Sequence, residues 1–223
     1  RQDEIRTKSF AANLDQILIL LAAEPVFSEM QLARALIAAE AAGIAPLIAL
    51  NKSDLPEPFA RAWERLLPYR NIGEGRHYPV LPLSLGRSPE APSGVGKSTL
   101  VNLLVPGAAV LTAEISQALN SGRHTTTSTA LYWLDAARTT AVIDSPGFQE
   151  FGLHHITPMD LARCMPDIAA HGSHCKFYNC THLHEPGCGV ISALKMGPSA
   201  DGISAIRYSI YSDLFKELGQ TRY

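Results

Sequence analysis

Apolar positions in this chain follow two different periods, which alternate along its first half. Leu14-Asp-Gln-Ile-Leu-Ile-Leu-Leu21 ends in an unbroken apolar run, the pattern of a strand buried on both faces. Residues 27–42 then place Met30, Leu32, Leu36 and Ile37 at helical spacing, and Ala45-Pro-Leu-Ile-Ala-Leu50 is a second buried strand. Strand, helix and strand in that order predict a parallel pair joined by a right-handed crossover. Residues 56–67 follow as a helix with Phe59, Trp63 and Leu66 on one face. Tyr78-Pro-Val-Leu-Pro-Leu83 then reads as a strand whose prolines suit an edge.

In the second half, residues 100–104 are a helical run, and residues 128–134 and 139–143 read as a strand pair. Residues 203–218 form an amphipathic helix with Ile203, Ile206, Ile210, Leu214 and Leu218 directed inward. The expected fold class is therefore α/β, with a parallel-rich sheet followed by a small helical domain. Residues 1–13 are polar and of mixed charge, a connector with no motif of its own; 14–155 form the α/β domain and 156–223 the C-terminal domain.

Composition narrows this little. A net charge of −2 gives no bulk signal for nucleic acid, and residues 156–223 balance six Lys/Arg against six Asp/Glu. The apolar run at 17–23 is far short of the roughly 20 residues that span a bilayer, and nothing resembles a signal peptide, so the expected location is cytoplasmic, with no membrane partner. Cys175, Cys180 and Cys188 crowd into 14 positions while Cys164 stands apart in a helical pattern. That spacing reads as metal ligation in a reducing compartment, with Cys164 in the core.

The strongest chemical signal is Ala91-Pro92-Ser93-Gly94-Val95-Gly96-Lys97-Ser98-Thr99, whose first part fits the phosphate-binding loop pattern with Ala at the first Gly position. Gly94 and Gly96 let backbone N–H groups turn inward around a triphosphate, Lys97 can reach the β- and γ-phosphates, and Ser98 is placed to ligate Mg²⁺. The helix that follows adds the positive end of its dipole. Such a loop is normally entered from a central strand. Leu85-Gly-Arg-Ser-Pro-Glu-Ala91 is too short to hold a helix and a strand, so a segment carrying the entering strand is expected to be missing between Leu83 and Ser93.

Asn51-Lys52-Ser53-Asp54 closes the second strand, where open α/β sheets bind ligands. The Asp54 carboxylate can accept from the ring N–H and the exocyclic amine of guanine, groups that adenine does not present there. Asn51 can bond the other edge of the base or tie this loop to the phosphate loop, and the Lys52 stem can lie across the purine. Ser84 can place backbone N–H groups near the base. Gly122-Arg-His124-Thr125-Thr126-Thr127 supplies a loop Thr that can join Mg²⁺ while the γ-phosphate is present, Thr125 first and Thr126 second. In Asp144-Ser-Pro-Gly147 a carboxylate can serve the Mg²⁺ water shell and a Gly N–H can face the γ-phosphate.

Phosphate loop, Thr loop and Asp-Ser-Pro-Gly run in the usual GTPase order, but the base-recognition segment precedes all of them. The sequence therefore predicts a circularly permuted GTPase domain, which closely placed termini make tolerable. Phe148 stands where Ras-like GTPases place a water-orienting Gln, so slow intrinsic turnover is expected. His124 is the nearby side chain suited to handling the attacking water. In the C-terminal domain, Cys175-x4-Cys180-x-His182-x5-Cys188 supplies three thiolates and one imidazole, a closed set suited to structural Zn²⁺. His184 is a rival ligand on the same loop, and His171 and His174 are expected to be solvated loop residues.

Taken together, Ala11-Ala-Asn-Leu-Asp15, Asn51-Lys-Ser-Asp54, Ser93-Gly-Val-Gly-Lys-Ser98, Gly122-Arg-His-Thr-Thr-Thr127, Asp144-Ser-Pro-Gly-Phe148 and the Cys/His cluster resemble the ribosome small subunit-dependent GTPase A family of bacterial ribosome-assembly factors. The resemblance implies GTP and GDP as ligands with Mg²⁺ and Zn²⁺. It implies His182 as the fourth zinc ligand, and the small ribosomal subunit and its rRNA as partners of a monomeric protein. It also implies an OB-fold ahead of residue 1. Ala91-Pro92 departs from the Gly-Gln usual in that family. Catalytic roles fall to Lys97, Thr125 and His124. The competing readings are a zinc-stabilised RNA-binding module that senses GTP without appreciable turnover, and a nucleotidase acting on free GTP.

Overall fold

The computed structural model describes residues 13–71, 77–86, 94–108, 129–145, 152–153, 155–197 and 202–220. The first unit is parallel, as the alternating pattern predicts. Strand β1 (Gln16–Ala22) pairs with β2 (Ala45–Asn51) in register from Gln16↔Ala45 to Ala22↔Asn51, and β2 pairs in parallel with the short β3 (Val80–Pro82). Helix α1 (Glu29–Ala42) makes the first crossover. The Ser28 hydroxyl caps its N-terminus by accepting from Gln31 N–H, and Gly43 closes it in the left-handed region at φ 66°. Helices α2 (Pro56–Arg65) and α3 (Leu67–Arg70) make the second crossover.

Helix α1 is packed from two sides. Leu32, Ala35 and Leu36 meet Ile19, Leu21, Ile48 and Leu50 of the sheet together with Leu66 and Tyr69. Its Ala33 and Ile37 join a second cluster with Leu161, Met165, Ile168, Val190, Ile210 and Leu214 from the C-terminal helices. Each Leu or Ile removed from water in this way contributes about 1.5–3 kcal/mol, so the expected boundary near residue 156 runs through a continuous apolar contact.

The C-terminal region comprises α5 (Pro158–Leu161), a 3₁₀ turn (Ala162–Cys164), α6 (Pro166–Gly172), α7 (Gly189–Met196) and α8 (Ala205–Gly219). Two sequence expectations are corrected here. Ile206, assigned to the inward face of the last helix, is 43% exposed, and Arg207 beside it is buried. Arg207 is drawn in by a bidentate ion pair with Asp167 of α6, Nε to Oδ2 at 2.8 Å and Nη2 to Oδ1 at 2.7 Å, with its guanidinium 5.0 Å from the Tyr69 ring centroid. His171 belongs to α6 and not to a loop. Cys164 is half-buried against the second apolar cluster, away from the other cysteines.

Between these regions lie α4 (Lys97–Leu104) and an antiparallel pair, β4 (Ala130–Trp133) with β5 (Ala141–Asp144). Among the described residues the β4–β5 ribbon forms no ladder with the β1–β2–β3 sheet. Leu131 and Trp133, which share one face of β4, are 51% and 43% exposed. Among the described residues no helix is long and apolar enough to cross a membrane.

Candidate functional site

Parallel pairing sets the first half of the nucleotide site. The register carries Asn51 to the C-terminal end of β2, where the chain leaves the sheet through Lys52 at φ 70°. Asn51 is buried and bonds two loops at once: Nδ2 donates to Val95 O at 3.0 Å, and Oδ1 accepts from Leu85 N–H at 3.0 Å. Of the two roles open to it, this is the loop tie. Gly96 is required by that contact. It sits at φ 98°, and a Cβ there would meet Asn51 Nδ2 at 2.5 Å. Ser53 N–H donates to Leu83 O at 2.9 Å and the Ser84 hydroxyl donates to Asp54 Oδ1 at 3.2 Å, so the segment after β3 is laced to the loop after β2. Ser84 thus acts on Asp54 through its side chain.

Helix α4 begins at Lys97, with Gly96 as its N-cap, and contains Ser98 and Thr99 in its first turn. Lys97 Nζ donates to Asp144 Oδ1 at 2.8 Å and to Ser145 O at 2.8 Å. Asp144 is buried at the end of β5, so the phosphate-loop lysine and the Asp-Ser-Pro-Gly carboxylate, 47 positions apart, meet at one point. Gly94, Val95, Gly96, Lys97 and Asn51 are thus brought together, with Asp54 on the adjoining loop. Ser93, His124, Thr125, Thr126 and Gly147 lie outside the described residues, as does the connector between Gly86 and Gly94.

The second site is complete. Cys175, Cys180, His182 and Cys188 place one ligand atom each so that all lie within 4.8 Å of one another. Cys175 Sγ is 3.8 Å from Cys188 Sγ, and His182 Nδ1 is 3.4 Å from Cys175 Sγ and 3.5 Å from Cys188 Sγ. Bonds of about 2.3 Å to sulfur and about 2.0 Å to nitrogen, arranged tetrahedrally, require edges of about 3.8 Å and 3.5 Å. The cluster fits Zn²⁺. His184 is exposed and outside the set.

Local bonds explain why the loop closes in this shape. His182 adopts φ 61°, and its carbonyl accepts from the Tyr208 hydroxyl at 2.8 Å, while Thr181 O accepts from the Tyr211 hydroxyl at 2.9 Å. Cys188 is the N-cap of α7, its Sγ accepting from Ile191 N–H. Sequence reasoning missed Glu185. Its carboxylate accepts from the Thr181 hydroxyl at 2.6 Å, Thr181 N–H at 2.9 Å and His184 N–H at 3.3 Å. Desolvation pushes that carboxyl up, but these hydrogen bonds together hold it well below the usual carboxylate range. Burial pushes the Cys180 and Cys188 thiols up. Burial also moves His182 down, leaving its imidazole neutral and able to ligate.

Comparison with known proteins places the chain in a family. The model of the RsgA GTPase family matches residues 1–88 and 91–154, breaking at the connector ahead of the phosphate loop. The small ribosomal subunit biogenesis GTPase RsgA of Variovorax paradoxus (strain S110) is 66% identical over 241 positions that take in 100% of this chain and 74% of the relative. Those 241 positions exceed the 223 residues of this chain by 18, so the relative carries residues that this chain does not. The protein of the same name from Burkholderia mallei (strain SAVP1) is 51% identical over 239 positions, 99% of this chain and 73% of its own length. Among solved structures, YjeQ from Thermotoga maritima superposes with a TM-score of 0.68 at 27% identity, covering 94% of this chain and 73% of that one. YloQ, described as a circularly permuted GTPase, gives 0.69 at 29% identity, covering 95% and 71%.

Proposed function

Because the chain belongs to the RsgA GTPase family and has the circularly permuted fold of YloQ, we propose that its GTP hydrolysis serves maturation of the small ribosomal subunit, with slow intrinsic turnover that the subunit stimulates. The observation that carries the nucleotide half is the pair of Asn51 bonds to Val95 and Leu85, which hold the guanine-reading loop against the phosphate loop. In this reading Asn51, Lys52, Ser53 and Asp54 form the base end of the site, with the Asp54 carboxylate accepting from guanine. Residues 93–99 cradle the phosphates, and Lys97 exchanges its Asp144 partner for the β- and γ-phosphate oxygens.

Mg²⁺ is held by Ser98 and Thr125, with Thr126 as the alternative. Asp144 would serve the ion's water shell, and the Gly147 N–H would donate to the γ-phosphate. Such an ion would supply positive charge where negative charge develops on the transferred phosphoryl group. With Phe148 in place of a water-orienting Gln, His124 positions the attacking water in the subunit-bound state. Zn²⁺ on Cys175, Cys180, His182 and Cys188 is structural, since all positions of a tetrahedral ion are taken by protein.

The ribosomal partner is supported by the names of the relatives, each a small ribosomal subunit biogenesis GTPase. Multiple-turnover phosphate release, measured with the chain alone and then with small or large ribosomal subunits, tests the reading. Stimulation by small subunits alone is expected. Equal rates in all three conditions would contradict it, and high activity without any subunit would favour hydrolysis of free GTP.

A further inference from the structure

Four residues, Lys176, Phe177, Tyr178 and Asn179, span the interval between the metal ligands Cys175 and Cys180. Both ends of this tip are fixed by the cluster, and Lys176 N–H donates to Gly187 O at 3.0 Å. The neighbouring aromatics turn inward: the Tyr208 and Tyr211 hydroxyls bond the loop backbone, and Tyr211 packs at 6.0 Å on Phe215. Tyr178 does the reverse. It is 102% exposed, more than any other exposed large apolar side chain among the described residues, and Phe177 beside it is 41% exposed. Lys176 Nζ lies 5.6 Å from the Phe177 ring centroid, a cation set against an open aromatic face. From Ile168 to His184 the chain has no Asp or Glu, and Lys176 is its one Lys or Arg. The carboxylates flanking that stretch are engaged, Asp167 with Arg207 and Glu185 with Thr181.

We propose that this tip is a stacking platform for unpaired RNA bases, with Tyr178 and Phe177 each offering a ring face and Lys176 meeting the adjoining phosphate. A base stacks on any ring held open to solvent, and a rigid mount spares the ordering cost that a free loop would incur. Within residues 168–184 no carboxylate adds to the repulsion that a phosphate backbone would meet, and the flanking Glu185 is engaged with Thr181. Unpaired bases fit where a duplex does not, because paired bases hide their faces. The inference rests on the proposed ribosomal role and names the contact through which the C-terminal domain grips rRNA.

The test uses the full, zinc-loaded chain and its Tyr178→Ala, Phe177→Ala and Tyr178→Trp variants. Affinity is measured for small ribosomal subunits, for single-stranded oligouridylate and for an RNA duplex. Zinc content and basal GTP hydrolysis, to which the tip does not contribute, report that each variant is folded. Tyr178→Ala should weaken oligouridylate and subunit binding by about tenfold or more, Phe177→Ala by less, and Tyr178→Trp should retain both. The duplex should bind more weakly than oligouridylate and respond little to the substitutions. Alanine variants that bind oligouridylate and subunits like wild type overturn the platform, whereas a wild-type chain that fails to bind subunits overturns the ribosomal role. Loss of subunit binding in Tyr178→Ala with no oligouridylate binding by wild type would identify a protein contact and also overturn the RNA proposal.

Discussion

The Cys₃His cluster draws its side chains from 14 consecutive positions, Cys175 to Cys188, whereas the proposed nucleotide cradle joins side chains from residue 51 to residue 144. The first is embedded in an apolar core: Cys180 and Cys188 belong to the same buried cluster as Val190, Ile210 and Leu214. The second is held by polar links, Asn51 to Val95 and Lys97 to Asp144, between a three-stranded sheet and a separate two-stranded ribbon. A local site backed by a core forms from its own segment. A distributed site is only as well formed as the elements that carry its parts. Here the family match breaks at residues 89 and 90, directly ahead of the phosphate loop, and the most similar stretch of a relative is 18 positions longer (241 against 223). A two-stranded ribbon on its own is marginal in water.

The contrast predicts unequal responses. Chelation of zinc or Cys188→Ser should cause the largest change, since structural zinc contributes on the order of 10 kcal/mol to small domains. Hydrogen exchange should show loss of protection in α6, α7 and α8 while β1 and β2 keep theirs; loss across the whole chain at once would show that the cores do not separate. Next, Asp167→Ala leaves Arg207 buried without its partner and should cost about 3–5 kcal/mol in urea unfolding. Arg207 Nη1 already lacks a hydrogen-bond partner, so little is available to compensate. A double change to apolar residues of similar volume should recover most of that loss.

In the nucleotide half, His124→Ala should lower the subunit-stimulated rate by about 10²–10⁴-fold while leaving GTP affinity and basal rate nearly unchanged. A variant stimulated to the wild-type level would remove His124 from the mechanism. A smaller effect belongs to pH. Burial raises the Cys180 and Cys188 thiols above their ordinary range, so in the metal-free protein both are protonated at neutral pH. Zinc must displace those protons. Affinity should therefore rise with pH, by about tenfold per unit for each proton displaced, until the thiols ionise. Competition with a zinc chelator between pH 6 and 8 (about two units around neutrality) checks the sign, and a flat profile would place thiolates in the empty site.

Much of this was readable because it was local. The apolar run at 17–23 and the helical spacing at Leu32, Leu36 and Ile37 state which faces are buried, and β1, α1 and β2 follow them closely. Cysteine spacing pointed to the Cys175, Cys180, His182 and Cys188 group, whose ligand atoms lie within 4.8 Å of one another, for the same reason. Ile206 was assigned inward and the burial of Arg207 was not foreseen, because the partner of Arg207 lies 40 positions away and a helical pattern cannot announce a buried charge whose counter-ion is on another helix. Glu185 went unnoticed because its partner, the Thr181 backbone, has no sequence signature. Asn51 was left with two roles, and only the proximity of Val95 and Leu85 selects the loop tie.

Guanine recognition by Asp54 is the most direct test of the nucleotide assignment. The zinc-loaded chain is equilibrated with a fluorescent GDP analogue and Mg²⁺, and GTP, ATP and xanthosine triphosphate are titrated as competitors against wild type and Asp54→Asn. Wild type should be displaced by GTP and not by ATP. Loss of hydrogen bonds to a carboxylate, worth about 1.5–3 kcal/mol in total, should weaken GTP for Asp54→Asn by about 10- to 150-fold. Xanthosine triphosphate should gain relative to GTP, because the amide can donate to its extra carbonyl. Equal displacement of wild type by ATP and GTP, or equal loss of GTP and xanthosine triphosphate in the variant, would contradict the assignment.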